Sequence, residues 1–365
     1  MFDYIHHHPD WPAFHWDDRK LLGRLAELRH RQGRLLGRME ALGFELHAEA
    51  LLRTLTEDSV RSSEIEGEFL DPAQVRSSIA RRLGMDIGGL VPADRKVEGM
   101  VEMMLDATGN FATPLTRERL AFWQSGLFPA DRRNLRIGAD RDGPMQVVSG
   151  PIGRELVHFE APASHRVEEE MERFLDFFEH GAGIDPVLKA GVAHLWFLTI
   201  HPFDDGNGRI ARAITDLALA RSERTSQRCY SLSAQIRADR ERYYEVLEAT
   251  QRGGLDITPW LDFFLDVFER ALARAGENVA AVLRKARFWR RHAVASLNDR
   301  QRAMLDRLFG DFVGKLTSSK WATLAKTSQD TAARDIDELV KRGILVKEGG
   351  GRSTSYSLAL DEPGS

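Results

Sequence analysis

His201-Pro202-Phe203-Asp204-Asp205-Gly206-Asn207-Gly208-Arg209-Ile210-Ala211-Arg212 separates two apolar helical stretches, and its reading settles what lies on either side. Upstream, Asp185-Pro186 marks a helix start, a capping carboxylate before proline at the first helical position, where a missing N–H costs nothing. The helix that follows carries Val192, Leu195, Trp196, Leu198 and Ile200, which predicts burial. His201-Pro202 ends it, because a residue before proline is driven out of the α region. Ile210, Ala211, Ile214, Leu217, Ala218 and Leu219 then restore helical periodicity. A short loop is thus held between two core helices.

The loop predicts an anion site. Gly206 and Gly208 permit backbone conformations and a close approach that a Cβ would block, so the N–H groups around Asn207 can face a ligand. Arg209 and Arg212, three residues apart, share one face of the first turn. Two guanidinium groups there repel one another and oppose the positive end of the helix dipole, unless an anion lies between them. A di- or triphosphate meets that demand. Asp205 offers a carboxylate for Mg2+, which would bridge phosphate oxygens. His201 is the side chain of the segment able to take a proton near neutral pH. Taken singly, each residue has an ordinary use: a helix-end hydrogen bond for His201, a cap for Asp205, a solvated face for the arginines. Their occurrence in order within twelve residues favours the functional reading.

At these residues the chain resembles the Fic family, whose motif reads His-x-Phe-x-(Asp/Glu)-Gly-Asn-Gly-Arg-x-x-Arg, and every fixed position is matched. The resemblance implies a mainly α fold, a helical bundle with a β-hairpin flap. It also implies a protein adenylyltransferase that moves AMP from Mg-ATP to a Ser, Thr or Tyr hydroxyl of a target protein or of itself. In that scheme His201 deprotonates the hydroxyl, Asp205 holds Mg2+, Asn207 with the amides of the glycine loop binds the α- and β-phosphates, and Arg209 and Arg212 hold the β- and γ-phosphates. The reaction is in-line displacement at the α-phosphorus, catalysed mainly by positioning and electrostatic stabilisation.

Far upstream, Ser62-Ser63-Glu64-Ile65-Glu66-Gly67 follows a helix through Leu51, Leu52, Leu55 and Val60, and Gly67 is placed to stop it. By itself this is a common acidic helix end. Beside the first motif it resembles the family's inhibitory motif, (Ser/Thr)-x-x-x-Glu-(Gly/Asn), with Ser62 and Glu66 on the fixed positions. The resemblance implies that Glu66 pairs with Arg212 and occupies the guanidinium the γ-phosphate needs. It places the chain in the class with an N-terminal inhibitory helix, some members of which use the same glutamate to remove AMP.

Between the motifs, residues 136–150 read as a hairpin turning at Asp142-Gly143. A small surface hairpin is the ordinary reading. The family resemblance implies a flap that docks the target protein as an added strand, with Val147 and Val148 at the edge and near the nucleotide. Tyr243, Tyr244 and Gln251 have two readings, a wall of the adenine and ribose pocket or core packing on helical faces.

The remaining chain fits this picture. Of 365 residues, 42% are hydrophobic and 29% charged, which predicts a sizeable core in two or three domains. A net charge of −4 makes no global case for nucleic acid. Lone Cys229 excludes an internal disulfide framework and suits a reducing compartment, so a cytoplasmic protein is expected. Met1-Phe2-Asp3-Tyr4-Ile5 lacks the pattern of a secretory signal, and no run nears the ~20 apolar residues of a membrane span. His6-His7-His8, with Trp11, Phe14 and Trp16 nearby, reads as an ordered aromatic arm in preference to a metal site or a tag remnant. Leu21, Leu25, Leu28, Leu35, Met39 and Leu42 form the stripe of a long helix whose Arg24, Arg31, Arg34 and Arg38 make a solvated basic face. Packing on the inhibitory helix, or homodimerisation, is a further use for that helix.

These readings divide the chain into an N-terminal helical region over 1–95, with the inhibitory motif at 62–67, and a catalytic domain over 96–275. A helical linker over 276–296 and a winged-helix domain over 297–361 follow. In the last, an Asn298-capped helix, a short helix at Trp321–Ala325 and a third at Gln329–Arg342 precede two strands around Ile344-Leu345-Val346 and Tyr356-Ser357-Leu358, flanking Gly349-Gly350-Gly351. Thr331, Arg334 and Lys341 would line a recognition helix, with Arg352 on the wing. Eleven basic against eight acidic residues between 297 and 360 leave a weak footprint for DNA, so protein docking is preferred. Two function classes follow: an autoinhibited adenylyltransferase, and a DNA-binding regulator whose central domain senses nucleotide without transferring it.

Overall fold

Helix starts are written in the chain as capping side chains, and the computed structural model shows them in use. It describes residues 3–41, 44–85, 88–129, 135–151, 153–154, 156–292, 297–309, 312, 314–350 and 354–359. Helix α1 (Asp18–Glu40) begins where the Asp17 carboxylate accepts the Arg19 N–H. Helix α2 (Phe44–Ile65) is followed by α3 (Pro72–Arg82), α4 (Arg95–Gly109) and α5 (Arg117–Leu127), capped by Asp71, Asp94 and Thr116 in turn. Strands β1 (Gln146–Ser149) and β2 (Leu156–Glu160) pair antiparallel. Then come α6 (Val167–His180), α7 (Pro186–Ile200), α8 (Asn207–Glu223), α9 (Leu232–Ala238), α10 (Arg240–Gln251) and α11 (Thr258–Arg291). The chain divides into two compact units, Met1–Gly276 and Glu277–Ser365, with the boundary inside α11.

In the first unit α7 packs along α8. Asp185 accepts the Val187 N–H and Pro186 stands at the first helical position, while residues on every side of the helix are buried, as an all-round apolar helix requires. Helices α2, α3 and α4 share an apolar cluster of Leu52, Leu55, Val60, Val75, Ile79 and Val97. Helices α4 and α2 both meet α8. The N-terminal arm is ordered: Trp11 and Phe14 meet Trp196 edge-on, Trp11 Nε1 donates to Glu170 at 2.8 Å, and Tyr4 and His6 pack on Phe159.

Two expectations are corrected here. Arg24 on α1 is not part of a solvated face, because its guanidinium meets Asp262, Asp266 and Glu269 of α11. The leucine stripe of α1 is buried at Leu21, Leu25, Leu28, Leu35 and Met39; Leu42 lies outside the described residues. The hairpin does not turn at Asp142-Gly143. Its strands are 146–149 and 156–160, so the turn falls after Ser149, and residues 136–145 are no strand. Arg141 explains this: its buried guanidinium donates to the carbonyls of His201, Gly143, Pro162 and Ile200, pinning the segment as an irregular brace. Pro144 besides has no N–H for a ladder.

In the second unit α12 (Asp299–Phe309), α13 (Ser318–Leu324) and α14 (Gln329–Lys341) precede β3 (Leu345–Glu348) and β4 (Ser355–Leu358), an antiparallel pair. Asn298 Oδ1 accepts the Gln301 N–H while Gln301 Oε1 accepts the Asn298 N–H, a reciprocal cap. Phe288 joins Met304, Leu305, Trp321, Ile336 and Leu339 in one core, so this part of the expected linker belongs to the second unit. Gly351 and Arg352 lie outside the described residues. Among the described residues no helix is long and apolar enough to cross a membrane.

Candidate active site

Helix α7 stops at His201, which turns into the left-handed region at φ 52°, ψ 59° while its N–H still reaches the Phe197 carbonyl at 3.0 Å. A side chain at positive φ is strained and persists only where its surroundings hold it. Arg141 supplies the hold, through Nε to the His201 carbonyl at 2.8 Å and its own N–H to the Pro202 carbonyl at 2.9 Å. The His201 ring has Nδ1 at 3.2 Å from the Leu198 carbonyl. A carbonyl only accepts, so Nδ1 carries the proton and Nε2 keeps its lone pair. Desolvation lowers the pKa of the ring from the ordinary histidine value, outweighing the opposing Leu198 bond and the Glu66 and Asp205 charges. The imidazole is therefore a neutral base at pH 7.

Gly206 sits at φ 90° as the N-cap of α8, a conformation open to glycine. The Asn207 amide spans the loop, accepting the Phe203 N–H at 3.0 Å and donating to the Phe203 carbonyl at 2.7 Å. Its side chain is thus a buried staple that shapes the loop. Asp205 Oδ1 accepts the Gly206 N–H at 2.6 Å.

Arg209 and Arg212, in the first two turns of α8, are both buried, and both meet carboxylates from the residues just after α2. Arg212 donates through Nε to Ser62 Oγ, and through Nη2 to the Ser62 carbonyl and to Glu66 Oε1, each at 2.8 Å. Burial works against its charge, but the Glu66 carboxylate and the nearby tyrosines more than offset this, leaving its pKa raised. A Cβ built on Gly208 would lie 2.1 Å from Glu66 Oε1, so the carboxylate rests against the opening turn of α8, where helix N–H groups favour an anion. Arg209 lies over the Phe128 ring at 5.1 Å and donates through Nη1 to Glu68 Oε2 at 2.6 Å. Arg209 Nε and Arg212 Nη1 make no hydrogen bond, so two buried donors are unspent. Phosphate oxygens would spend them.

Gly67, at φ 77°, turns the chain after α2 so that Glu66 and Glu68 both reach α8. Asp58, one turn before Ser62, helps hold α2 by accepting from Ser231 Oγ and the Ser233 N–H at the start of α9. Arg141, Glu68 and Asp58 escaped the sequence reading. Glu68 had a signal, a carboxylate two residues past Glu66, but no local pattern assigns it to Arg209.

The remaining candidates separate. Tyr243 is a core residue, bonded through its hydroxyl to His194 Nε2 at 2.9 Å and packed near Trp260 and Phe263. Gln251 is buried against Thr199. Core packing thus takes these two, because α10 turns them inward. Tyr244 faces the latch, its hydroxyl 3.5 Å from the Ile65 carbonyl. Val147 is half-buried and Val148 exposed on β1, which enters from the brace formed by Arg141.

Comparison with known proteins agrees with this geometry. Residues 114–219 match the Fic/DOC family, and residues 4–85 match a domain of unknown function, DUF4172. A protein adenylyltransferase Fic of Drosophila persimilis is 34% identical over 213 residues, 57% of this chain and 38% of the relative. Its counterpart in Drosophila willistoni is 27% identical over 213 residues. The match therefore spans about two fifths of the length of these curated relatives. Among solved structures, a Fic family protein from Desulfovibrio desulfuricans G20 matches with a TM-score of 0.52 at 22% identity, covering 94% of this chain and 97% of that one. A Fic domain containing signaling protein from Bacteroides thetaiotaomicron matches at 0.52 and 20%, covering 70% and 97%. Fold, loop and sequence converge, and the chain carries a Fic/DOC family domain over residues 114–219.

Proposed function

We propose that this protein transfers AMP from Mg-ATP to a hydroxyl of a target protein and that Glu66 restrains it. The observation that carries the reading is the buried Arg212 guanidinium, neutralised by Glu66 from 146 residues away, beside a neutral imidazole at His201. The hydroxyl oxygen of the target attacks the α-phosphorus, the bond to the bridging oxygen breaks, pyrophosphate leaves, and the proton passes to His201 Nε2. The loop amides and the two arginines hold the phosphates and stabilise charge as it shifts to the leaving group. With Glu66 in place, Arg212 Nη2 is spent on the carboxylate, and a γ-phosphate must displace Glu66 to take that donor.

Asp205 suits Mg2+ that arrives with the nucleotide, since this ion is held by one or two carboxylates plus phosphate oxygens. Among the described residues no cluster of three or more His, Cys, Asp or Glu forms a separate metal site. Bound there, the ion would neutralise phosphate charge. The target segment would add to the edge of β1 at residues 146–149, a mode that reads backbone more than side chains. For the second unit, three helices followed by β3 and β4 support a winged helix. Asp330 and Asp337 on α14 favour protein docking over DNA.

ATP labelled at the α-phosphorus tests the reading. Glu66→Gly protein should label protein in a cell extract, and His201→Ala in the same background should lose the label while still binding Mg-ATP. Labelling that survives His201→Ala would refute the assignment of the base.

A further inference from the structure

One buried guanidinium behind the base gathers three stretches of chain. Arg141 donates through Nε to the His201 carbonyl at 2.8 Å and through Nη2 to the Ile200 carbonyl at 3.3 Å, at the end of α7. Nη1 donates to the Gly143 carbonyl at 2.9 Å, ahead of β1, and Nη2 also to the Pro162 carbonyl, just past β2. At the same root the Ala161 N–H reaches the Met145 carbonyl at 2.9 Å, so the two legs of the hairpin are joined where Arg141 grips them. A planar guanidinium carries five N–H donors in a fixed fork, whereas an ammonium is a single point with three. Arg141 thus fixes both legs of the β1–β2 hairpin to the backbone of the base.

Its charge faces the same centre. Burial lowers the pKa of Arg141 against the attraction of Asp204 and Asp140, and its guanidinium bonds end on carbonyl oxygens, which solvate the charge without cancelling it. A cation beside an imidazole opposes a second positive charge there. Desolvation is the largest cause of the lowered pKa of His201, and the Arg141 charge adds to it. The bonds of Arg141 end at residues 143, 162 and 200–202, outside the phosphate loop from 205 to 212.

We propose that Arg141 is a positioning residue of the transfer reaction, holding the His201 imidazole in register with the β1 edge that receives the target strand. The inference rests on the adenylyl-transfer reading above, from which it takes the base and the docking edge. Transfer needs the target hydroxyl within hydrogen-bond reach of His201 Nε2 while the strand that carries it lies on β1. The base and that edge belong to segments distant in sequence, and a misplacement of about 1 Å between them costs on the order of a hundredfold in rate. Arg141 removes that freedom by acting on both. Nucleotide binding, held by the loop and the two arginines of α8, is independent of it.

Arg141→Lys and Arg141→Gln are made in the Glu66→Gly protein, checked for folding by melting, and assayed with α-labelled Mg-ATP and a cell extract as acceptor. Arg141→Lys keeps the charge and loses the fork. Its labelling of extract protein should fall by about a hundredfold, with Mg-ATP affinity by calorimetry unchanged and the acidic limb of the residual rate where the parent has it. Arg141→Gln loses both, so labelling should fall as far and the acidic limb should also move up in pH, because the His201 ring no longer faces a cation. A merely structural role would lower both rates and leave both limbs in place. Undiminished labelling in Arg141→Lys, Mg-ATP affinity that falls with labelling, or an unmoved limb in Arg141→Gln overturns the proposal. If Arg141→Gln does not fold, Arg141→Lys decides by the split between transfer and Mg-ATP binding. A Glu66→Gly parent that binds Mg-ATP and labels nothing removes the transferase reading beneath, whereas a labelling parent with unaffected variants removes this inference alone.

Discussion

Replacing Glu66 with glycine tests the latch quantitatively. In the resting protein Arg212 has three bonds, two to Ser62 and one to Glu66, and the variant loses only the last. A hydrogen bond to a charged group contributes about 1.5–3 kcal/mol. The wild type must give up roughly that much for a γ-phosphate to take Arg212, whereas the variant gives up nothing. At 1.4 kcal/mol per factor of ten, Mg-ATP should bind the variant roughly 10- to 150-fold more tightly. Without nucleotide the sign reverses. The buried guanidinium has lost its counter-charge, the new glycine adds about 0.5–1 kcal/mol of entropy cost, and melting should fall by about 4–8 °C. Saturating Mg-ATP should then raise the melting temperature of the variant more than that of the wild type. Titration calorimetry and thermal melts read both quantities. Equal Mg-ATP affinity in the two proteins would refute the claim that Glu66 competes with phosphate for Arg212.

Three further outcomes follow from particular residues. Desolvation lowers the folded-state pKa of His201, so the base is already deprotonated at neutral pH and is lost only in acid; the acidic limb of the transfer rate in Glu66→Gly should lie below pH 6.5, and a midpoint above that value would contradict the neutral-base assignment. Glu68→Gln frees Arg209, which keeps Phe128 beneath it and Asp205 at 3.9 Å, so Mg-ATP affinity should rise by about threefold to tenfold, less than for Glu66→Gly; a larger gain would make Glu68 the main restraint. Burial, then Glu223, pushes the Cys229 thiol up to about 12, so a thiol reagent at pH 8 should leave it unmodified until the protein is denatured, and rapid modification of the native protein would show that this site opens.

What could be read from the chain were features whose causes lie within a few residues. Asp185-Pro186 starts α7, Pro202 stops it at His201, and Gly206 opens α8, because caps and φ restrictions act locally. The apolar stripe of α1 and the Asn298 cap of α12 were legible for the same reason. The hairpin was legible as a hairpin but not in register. Asp142-Gly143 and Gly150-Pro151 are both turn signals, and Arg141, by gathering carbonyls from 143, 162, 200 and 201, decides between them.

Contacts between distant segments belong to the tertiary structure. Family resemblance supplied the pairing of Glu66 with Arg212, but Glu68 with Arg209, 141 residues apart, and Asp58 at the start of α9 have no local signature. Tyr243 and Tyr244 are adjacent and alike, yet one is sealed in the core against His194 and the other turns to the latch. Composition does not distinguish them, because the side of a helix a residue occupies matters only once the neighbouring helices are in place. Sequence by itself determined where the backbone turns and which residue types stand at the turn; packing determined which charges meet across it, since a pair's strength depends on the burial that distant segments provide.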